Sequence, residues 1–370
     1  MARSTWQRWL PAGAVVALVA GTVAVTSQAG AVDLPDRSPQ DVLALLLAQD
    51  VRAYSGSFET SADLGLPVPG DLDLGPGGPE MGDAAGAVAP EGGEAAQEVL
   101  SALELLTGDN TGRVFVGAQG ARFQHTDGLA ERNVVVTEED VWFYDSETNA
   151  ATHLVLPELP AGEHPEPTGT LPVPEELAAT AVEALEPSTE LTVGQHERVA
   201  GRDAYTLTLT PRAEETLVGG VTIAVDGETG FPLGVTVTAR DQAEPALQAQ
   251  YTDIDFSEPD ADLFDFAAPA GASVEEEVLE LPADGGTHAA PDHHTPGTTP
   301  PGDVLGEGWA TVLAVPDVEL PDDPLLEELT EPVDGGRLLS TALLSVLLTD
   351  DGRLLVGAVT PTHLQDLAGR

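Results

Sequence analysis

The chain has 370 residues, a formal net charge of −49, and no cysteine, and all 14 of its basic residues are Arg. So acidic a surface repels nucleic-acid phosphates and anionic membranes, and the missing cysteines exclude disulfides and an acyl anchor on a lipobox Cys. Three readings of the charge stay open: a solubilising, salt-tolerant surface, recognition of a basic partner, or mimicry of a nucleic acid.

The N-terminus reads as an export signal. Arg3 and Arg8 form a basic start, Leu10 to Val25 is an apolar stretch, and Ala29-Gly30-Ala31 has the small-x-small pattern. Cleavage is expected after Ala31, because the apolar stretch is shorter than the roughly 20 residues of a membrane span. The expected product is residues 32–370, soluble outside the cytoplasmic membrane, without stable membrane insertion.

From Ser38 the sequence predicts a helix over 39–50. Ser38 is a suitable N-cap, Pro39 suits the first helical position, and Asp41 complements the helix dipole. Tyr54 to Leu66 reads as extended. Residues 67–95 are Pro, Gly, Ala and acid without a usable period, and read as a flexible insert. A short amphipathic helix is expected over 95–107.

Strands follow at Gly112–Val116, Ala121–His125, Glu131–Val136, Val141–Tyr144 and Ala150–Leu156, with turn residues between them. The aromatic run Trp142-Phe143-Tyr144 is conspicuous where aromatics make up 4% of residues. On a strand, Trp142 and Tyr144 share one side and Phe143 takes the other. A helix over 174–186 precedes a second set of strands. There Tyr205, Leu207 and Leu209 alternate with Thr206, Thr208 and Thr210. Val221, Ile223 and Val225 alternate in the same way, as do Val235 and Val237. This is an antiparallel meander with one apolar face, too wide to stay flat over at least about eight strands. Three short helices are scant cover for it. Either the face packs into an ordinary α+β core, or part of it lines a cavity.

Residues 283–302 read as a linker. Its His288, His293 and His294 lack the fixed geometry of a metal site, so no metal and no cofactor are expected. Residues 303–370 read as a small β-α-β-β unit. It has a strand in "GEGWATVLAVP", an acidic helix in "DPLLEELTEPV", one hairpin turned at "TDDG", and a final helical turn in "THLQDLAG". Gly336-Arg337-Leu338-Leu339 recurs as Gly352-Arg353-Leu354-Leu355, attributed to antiparallel hairpin strands. A unit this small is expected to dock on the main domain.

No Gly-rich phosphate loop, HExxH or G-x-S-x-G is present, and acidic pairs are too frequent to be informative, so no catalytic residue is assigned. The expectation is a protein that is not an enzyme.

Three stretches in order resemble the LolA-like lipoprotein carriers. "ERNVVVTEEDVWFYDSETNAATHLVLP" resembles the central aromatic hairpin, "GVTIAVDGETGFPLGVTV" the long late hairpin, and "DADLFDFAAPAGASVEE" the closing segment. The resemblance spans roughly residues 38–277 and points to the actinobacterial branch, related to RseB-type and to mycobacterial LppX- and LprG-like lipid-binding folds. It implies an incomplete barrel of about eleven antiparallel strands, lidded by short helices around an apolar cavity. On that basis the domain is set at 32–282. Cavity-lining candidates are Trp142, Tyr144, Tyr205, Leu207, Leu209, Val221, Ile223, Val225, Val235 and Val237. Lid candidates are Leu45, Leu46 and Arg122; the carriers' closing Arg has no counterpart where Ala118 and Gln119 stand, and Arg122 is the nearest. The implied function is a secreted envelope carrier of a lipid or acylated ligand, served by an ABC-type transporter or a membrane acceptor. The alternative is an envelope-stress regulator that binds an anti-sigma factor. A structural interaction protein with a dry core is the third reading.

Overall fold

The computed structural model describes residues 34–65, 108–127, 130–156, 187–278, 303–316, 318 and 329–369. The expected signal segment, the insert 67–95, the helices at 95–107 and 174–186, and the linker with its three histidines lie outside the described residues.

Helix α1 spans Pro39–Leu47 and stops short of the expected end at residue 50. Its start is specified locally. The Ser38 hydroxyl accepts from the Asp41 amide at 3.2 Å, and the Asp41 carboxylate accepts from the Ser38 amide at 3.2 Å. These bonds satisfy amides that the first turn leaves unpaired, and the Ser38 hydroxyl, donating to the Asp41 carboxylate at 2.8 Å, together with the Ser38 amide holds the exposed Asp41 carboxyl below its ordinary range. Past Ala48 the chain turns away, with the Gln49 side chain accepting from the Val51 amide.

Thirteen strands build one sheet. They are β1 (Tyr54–Ala62), β2 (Gly108–Gly117), β3 (Gly120–Asp127), β4 (Ala130–Val136), β5 (Asp140–Asp145) and β6 (Ala150–Val155). Next come β7 (Thr189–Val193), β8 (Glu197–Val199), β9 (Arg202–Pro211), β10 (Val218–Asp226), β11 (Pro232–Ala239), β12 (Pro245–Asp255) and β13 (Ser273–Val278). The order is β13-β6-β5-β4-β3-β2-β1-β12-β11-β10-β9-β7, with β8 also on β9. The sheet is curved and does not close into a barrel. All pairs are antiparallel except β13, which runs parallel on β6. Bulges where β12 meets β1 at Ser57/Phe58, and where β10 meets β11 at Ala224/Val225, bend the strands and increase their twist.

The C-terminal part is richer than the expected β-α-β-β unit. It is a six-stranded antiparallel sheet of β14 (Asp303–Leu305), β15 (Val312–Val315), β16 (Glu331–Val333), β17 (Gly336–Ser340), β18 (Ser345–Thr349) and β19 (Leu354–Gly357). Its order is β14-β15-β19-β18-β17-β16. Helix α2 (Pro361–Ala368) closes it, burying Leu364 against Val312, Leu347 and Leu355. Three expectations are corrected here. Glu331–Val333, placed at the end of an acidic helix, is a strand paired with β17. The single hairpin is a three-stranded meander with an extra turn at Thr341–Leu344, where the Thr341 hydroxyl accepts from the amides of Leu343 and Leu344. Consequently the first Gly-Arg-Leu-Leu copy lies on β17 and the second leads into β19, two strands that flank β18 and run in the same direction.

The two sheets are joined by backbone. Thr216 bridges Val359, Leu217 N donates to Ala358 O at 2.9 Å, and Thr360 N donates to Glu215 O at 2.7 Å. Trp309 adds a bond from its indole nitrogen to the Thr189 hydroxyl at 2.8 Å.

Candidate functional site

Register carries one apolar face across the late strands. Leu207 on β9 stands opposite Ile223 on β10, which stands opposite Val235 on β11, which stands opposite Ala249 on β12. The alternate positions Thr206, Thr208, Thr222 and Thr236 occupy the other face, and Thr208 and Thr222 meet there through their hydroxyls at 3.3 Å. The threonine–aliphatic alternation separates a polar face from an apolar one, the threonine face itself being part-buried over this stretch.

Helix α1 lies on the apolar face. Val42 and Leu43 pack on Tyr205, Leu207 and Val225, all three fully buried, while Leu45 and Leu46 are part-buried at the margin of the same cluster. The Tyr205 hydroxyl donates to Pro35 O at 2.9 Å and accepts from Arg37 Nε at 3.1 Å, so the segment before α1 is tied down as well. The candidates on this face therefore divide. Tyr205, Leu207 and Val225 are sealed under the helix. Leu209, Val221, Ile223, Val235 and Val237 remain part-buried beside it.

Glycine sets how closely the helix approaches. Gly230, in the β10–β11 turn with φ +76°, lies where an added Cβ would come within 2.1 Å of Leu45 O. A Gly230→Ala substitution is expected to cost about 1–2 kcal/mol in backbone conformation alone and to displace α1. Amide exchange over residues 39–48 should rise together with the loss in the denaturation midpoint.

The apolar face continues onto the early strands through two aromatic residues that sequence reading passed over. From Ala249 the register runs to Thr60, and Phe58 on the same side of β1 stacks on Phe123 with centroids 5.3 Å apart. Gly112 makes this fit, because a Cβ there would stand 2.3 Å from the Phe58 ring. Phe123 pairs across to Val134, and Val134 to Phe143. A lone Phe between Ser and Glu in "GSFET" gives little periodic signal.

It follows that Trp142 and Tyr144 do not belong to this face. They stand on the opposite one, with Val135, Asn133 and Arg122 as register neighbours. Both rings contact Phe266, at centroid distances of 5.4 and 5.9 Å. Phe266 belongs to the segment that leaves β12 and returns to β13, so the aromatic run holds that segment against the sheet. Arg122, offered as a lid residue, is on this side too. It donates to Leu263 O at 3.1 Å and twice to Asn133 Oδ1, at 3.2 and 3.1 Å. Burial lowers the Arg122 pKa, opposed by the Glu131 charge. Arg122 thus clamps the return segment on the face away from α1. Arg122→Ala leaves the buried Asn133 without these donors and is expected to cost about 1–3 kcal/mol, read as a lower urea midpoint at unchanged m-value.

Among the described residues no group of three or more His, Asp or Glu could hold a metal ion. A cleft of about 350 Å³ lies in the second sheet, lined by Asp303, Leu305, Ala314, Pro316, Arg353 and Leu367. It is separate from the apolar face, and Arg353 there is already bonded to Asp351 and to Ala368 O. No described helix is long and apolar enough to cross a membrane.

No family model and no curated relative matches the chain. Solved structures do. A chain of the Pseudomonas aeruginosa MucA/MucB complex is 16% identical over 89% of this chain and 96% of its own, with a TM-score of 0.43. MucB alone is 16% identical over the same shares, with a TM-score of 0.39. A LolA-superfamily protein from Nitrosomonas europaea is 9% identical over 62% of this chain and 99% of its own, with a TM-score of 0.19. The chain is similar to MucB and to LolA-like proteins.

Proposed function

We propose that this protein is an extracytoplasmic carrier that holds a lipid or acylated ligand by its acyl chain, without chemical turnover. The observation that supports it is the row of part-buried aliphatics Leu209, Val221, Ile223, Val235 and Val237 beside the short helix α1. An acyl chain laid along that row loses water contact at about 0.8 kcal/mol per buried CH₂, which gives ample gross affinity without a single polar contact. Release then requires the cover to move. Helix α1 has nine residues and fully buries only Val42 and Leu43 of them, so it is attached through one apolar cluster and the Tyr205 bonds to Pro35 and Arg37 just before it. The proposed working form is residues 32–370, with a ligand-binding domain over 32–282, a linker over 283–302, and the second unit over 303–370. A donor or acceptor in the membrane completes the proposed cycle.

Binding of a fluorescent fatty acid by Val235→Asp and by Thr236→Asp tests the site. A carboxylate on the apolar face should weaken binding at least about tenfold, because it must be desolvated against the chain. The same change at Thr236, on the other face, should leave binding within about twofold. Equal affinities in both variants would remove this face from consideration.

A further inference from the structure

We propose that His153 is a proton-operated clasp on the edge strand β13. Strand β13 is the one parallel strand of the large sheet, and its Glu276 is in register with His153 on β6. The His153 ring meets a carboxylate at each nitrogen. Nε2 is 3.1 Å from Asp140 Oδ2, and Nδ1 is 3.4 Å from Glu276 Oε2. One face of the ring lies on the Trp142 indole, with centroids 4.0 Å apart and planes 9° from parallel. Asp140 and Glu276 are the charged groups that meet the ring from the two strands beside β6.

A neutral imidazole carries one N–H, so it donates to one carboxylate and points a lone pair at the other. The imidazolium donates to both, and its charge lies between two anions and over an aromatic face. Which contact yields on deprotonation follows from the surroundings. Asp140 is braced, its Oδ1 accepting from the Thr137 hydroxyl at 2.8 Å, and its side chain is 28% exposed. Glu276 is 66% exposed and stands on a separate strand. Glu276 is therefore the partner that lets go. Strand β13 is held more firmly when the His153 ring is protonated and loosens when it is neutral. This clasp is independent of the carrier reading, since it lies on the face away from α1.

Amide hydrogen exchange at pH 5.5 and pH 8, corrected for intrinsic exchange rates, tests it on the full chain. Residues 273–278 should be about two- to fivefold more protected at the lower pH, the range that an ion pair with one exposed partner supports. Strand β11 should show no such difference. Both His153→Gln, which keeps a donor without titrating, and Glu276→Gln should abolish the pH effect. Parent and His153→Gln proteins with the same pH dependence, or a parent with none, would overturn the proposal. Should His153→Gln fail to fold, Glu276→Gln decides alone, because Glu276 is mostly exposed.

Discussion

Replacing Arg202 by alanine is expected to destabilise the protein by about 3 kcal/mol at neutral pH, the lower end for breaking a buried ion pair. Arg202 Nε and Nη2 donate to the two Asp226 oxygens at 2.7 and 2.9 Å, and the Asp226 side chain is 1% exposed. Without Arg202 that carboxylate keeps only the Thr229 amide and hydroxyl as donors, at 2.8 and 2.6 Å. The guanidinium also lies 4.8 Å from the Phe256 ring centroid, so packing is lost with the charge.

The effect carries a pH signature. Burial alone would push the Asp226 carboxyl up, but the bonds from Arg202 and Thr229, together with the Arg202 charge, hold it below the ordinary carboxylate range. Its contribution is therefore present above the unfolded-chain value of about 3.9 and is lost as pH falls through the lower folded value. In Arg202→Ala burial is no longer outweighed by the cation. The gap in unfolding free energy between parent and variant should be widest near neutrality and narrow below about pH 4. Urea titrations across that range measure it; a gap independent of pH would show that packing, and not charge, is what Arg202 supplies.

The second large effect is expected at Leu207. It is fully buried between β9 and α1, touching the cluster of Val42, Leu43, Tyr205 and Val225. Leu207→Ala should cost about 2–5 kcal/mol, depending on how far the helix settles into the space. Amide exchange should place the loss first in residues 39–48, because α1 has few other anchors. Thr208→Ala, on the opposite face, should stay within about 0.5 kcal/mol. A Leu207→Ala variant with unchanged protection in α1 would mean that the helix is held elsewhere.

The strands of the large sheet were legible because side-chain alternation is a local signal. Thr206 to Thr210 and Val221 to Val225 state which residues share a side. They do not state which side two distant strands have in common. Trp142 and Leu207 are parted by a path through eight strand pairings, so one register step decides whether they share a face. The partner of Trp142 and Tyr144, Phe266, is also too distant in the chain for any periodic argument to reach. The extra turn before the expected hairpin at "TDDG" was missed for a different reason. A mostly apolar stretch broken only by Ser340, Thr341 and Ser345 marks no clear boundary, and the turn is set by the Thr341 hydroxyl, which competes with the ladder for two backbone amides. Within the apolar face, the split between sealed and part-buried positions depends on where α1 lies, and Gly230 is the residue that admits it there.

Native mass spectrometry of residues 32–370, secreted from a suitable host and followed by organic extraction, tests the carrier reading most directly. A discrete lipid mass that co-purifies with the folded protein and is lost on denaturation is the predicted result. A ligand-free protein that also takes up no fluorescent fatty acid would contradict it, and would transfer the function of the two joined sheets to binding a protein partner.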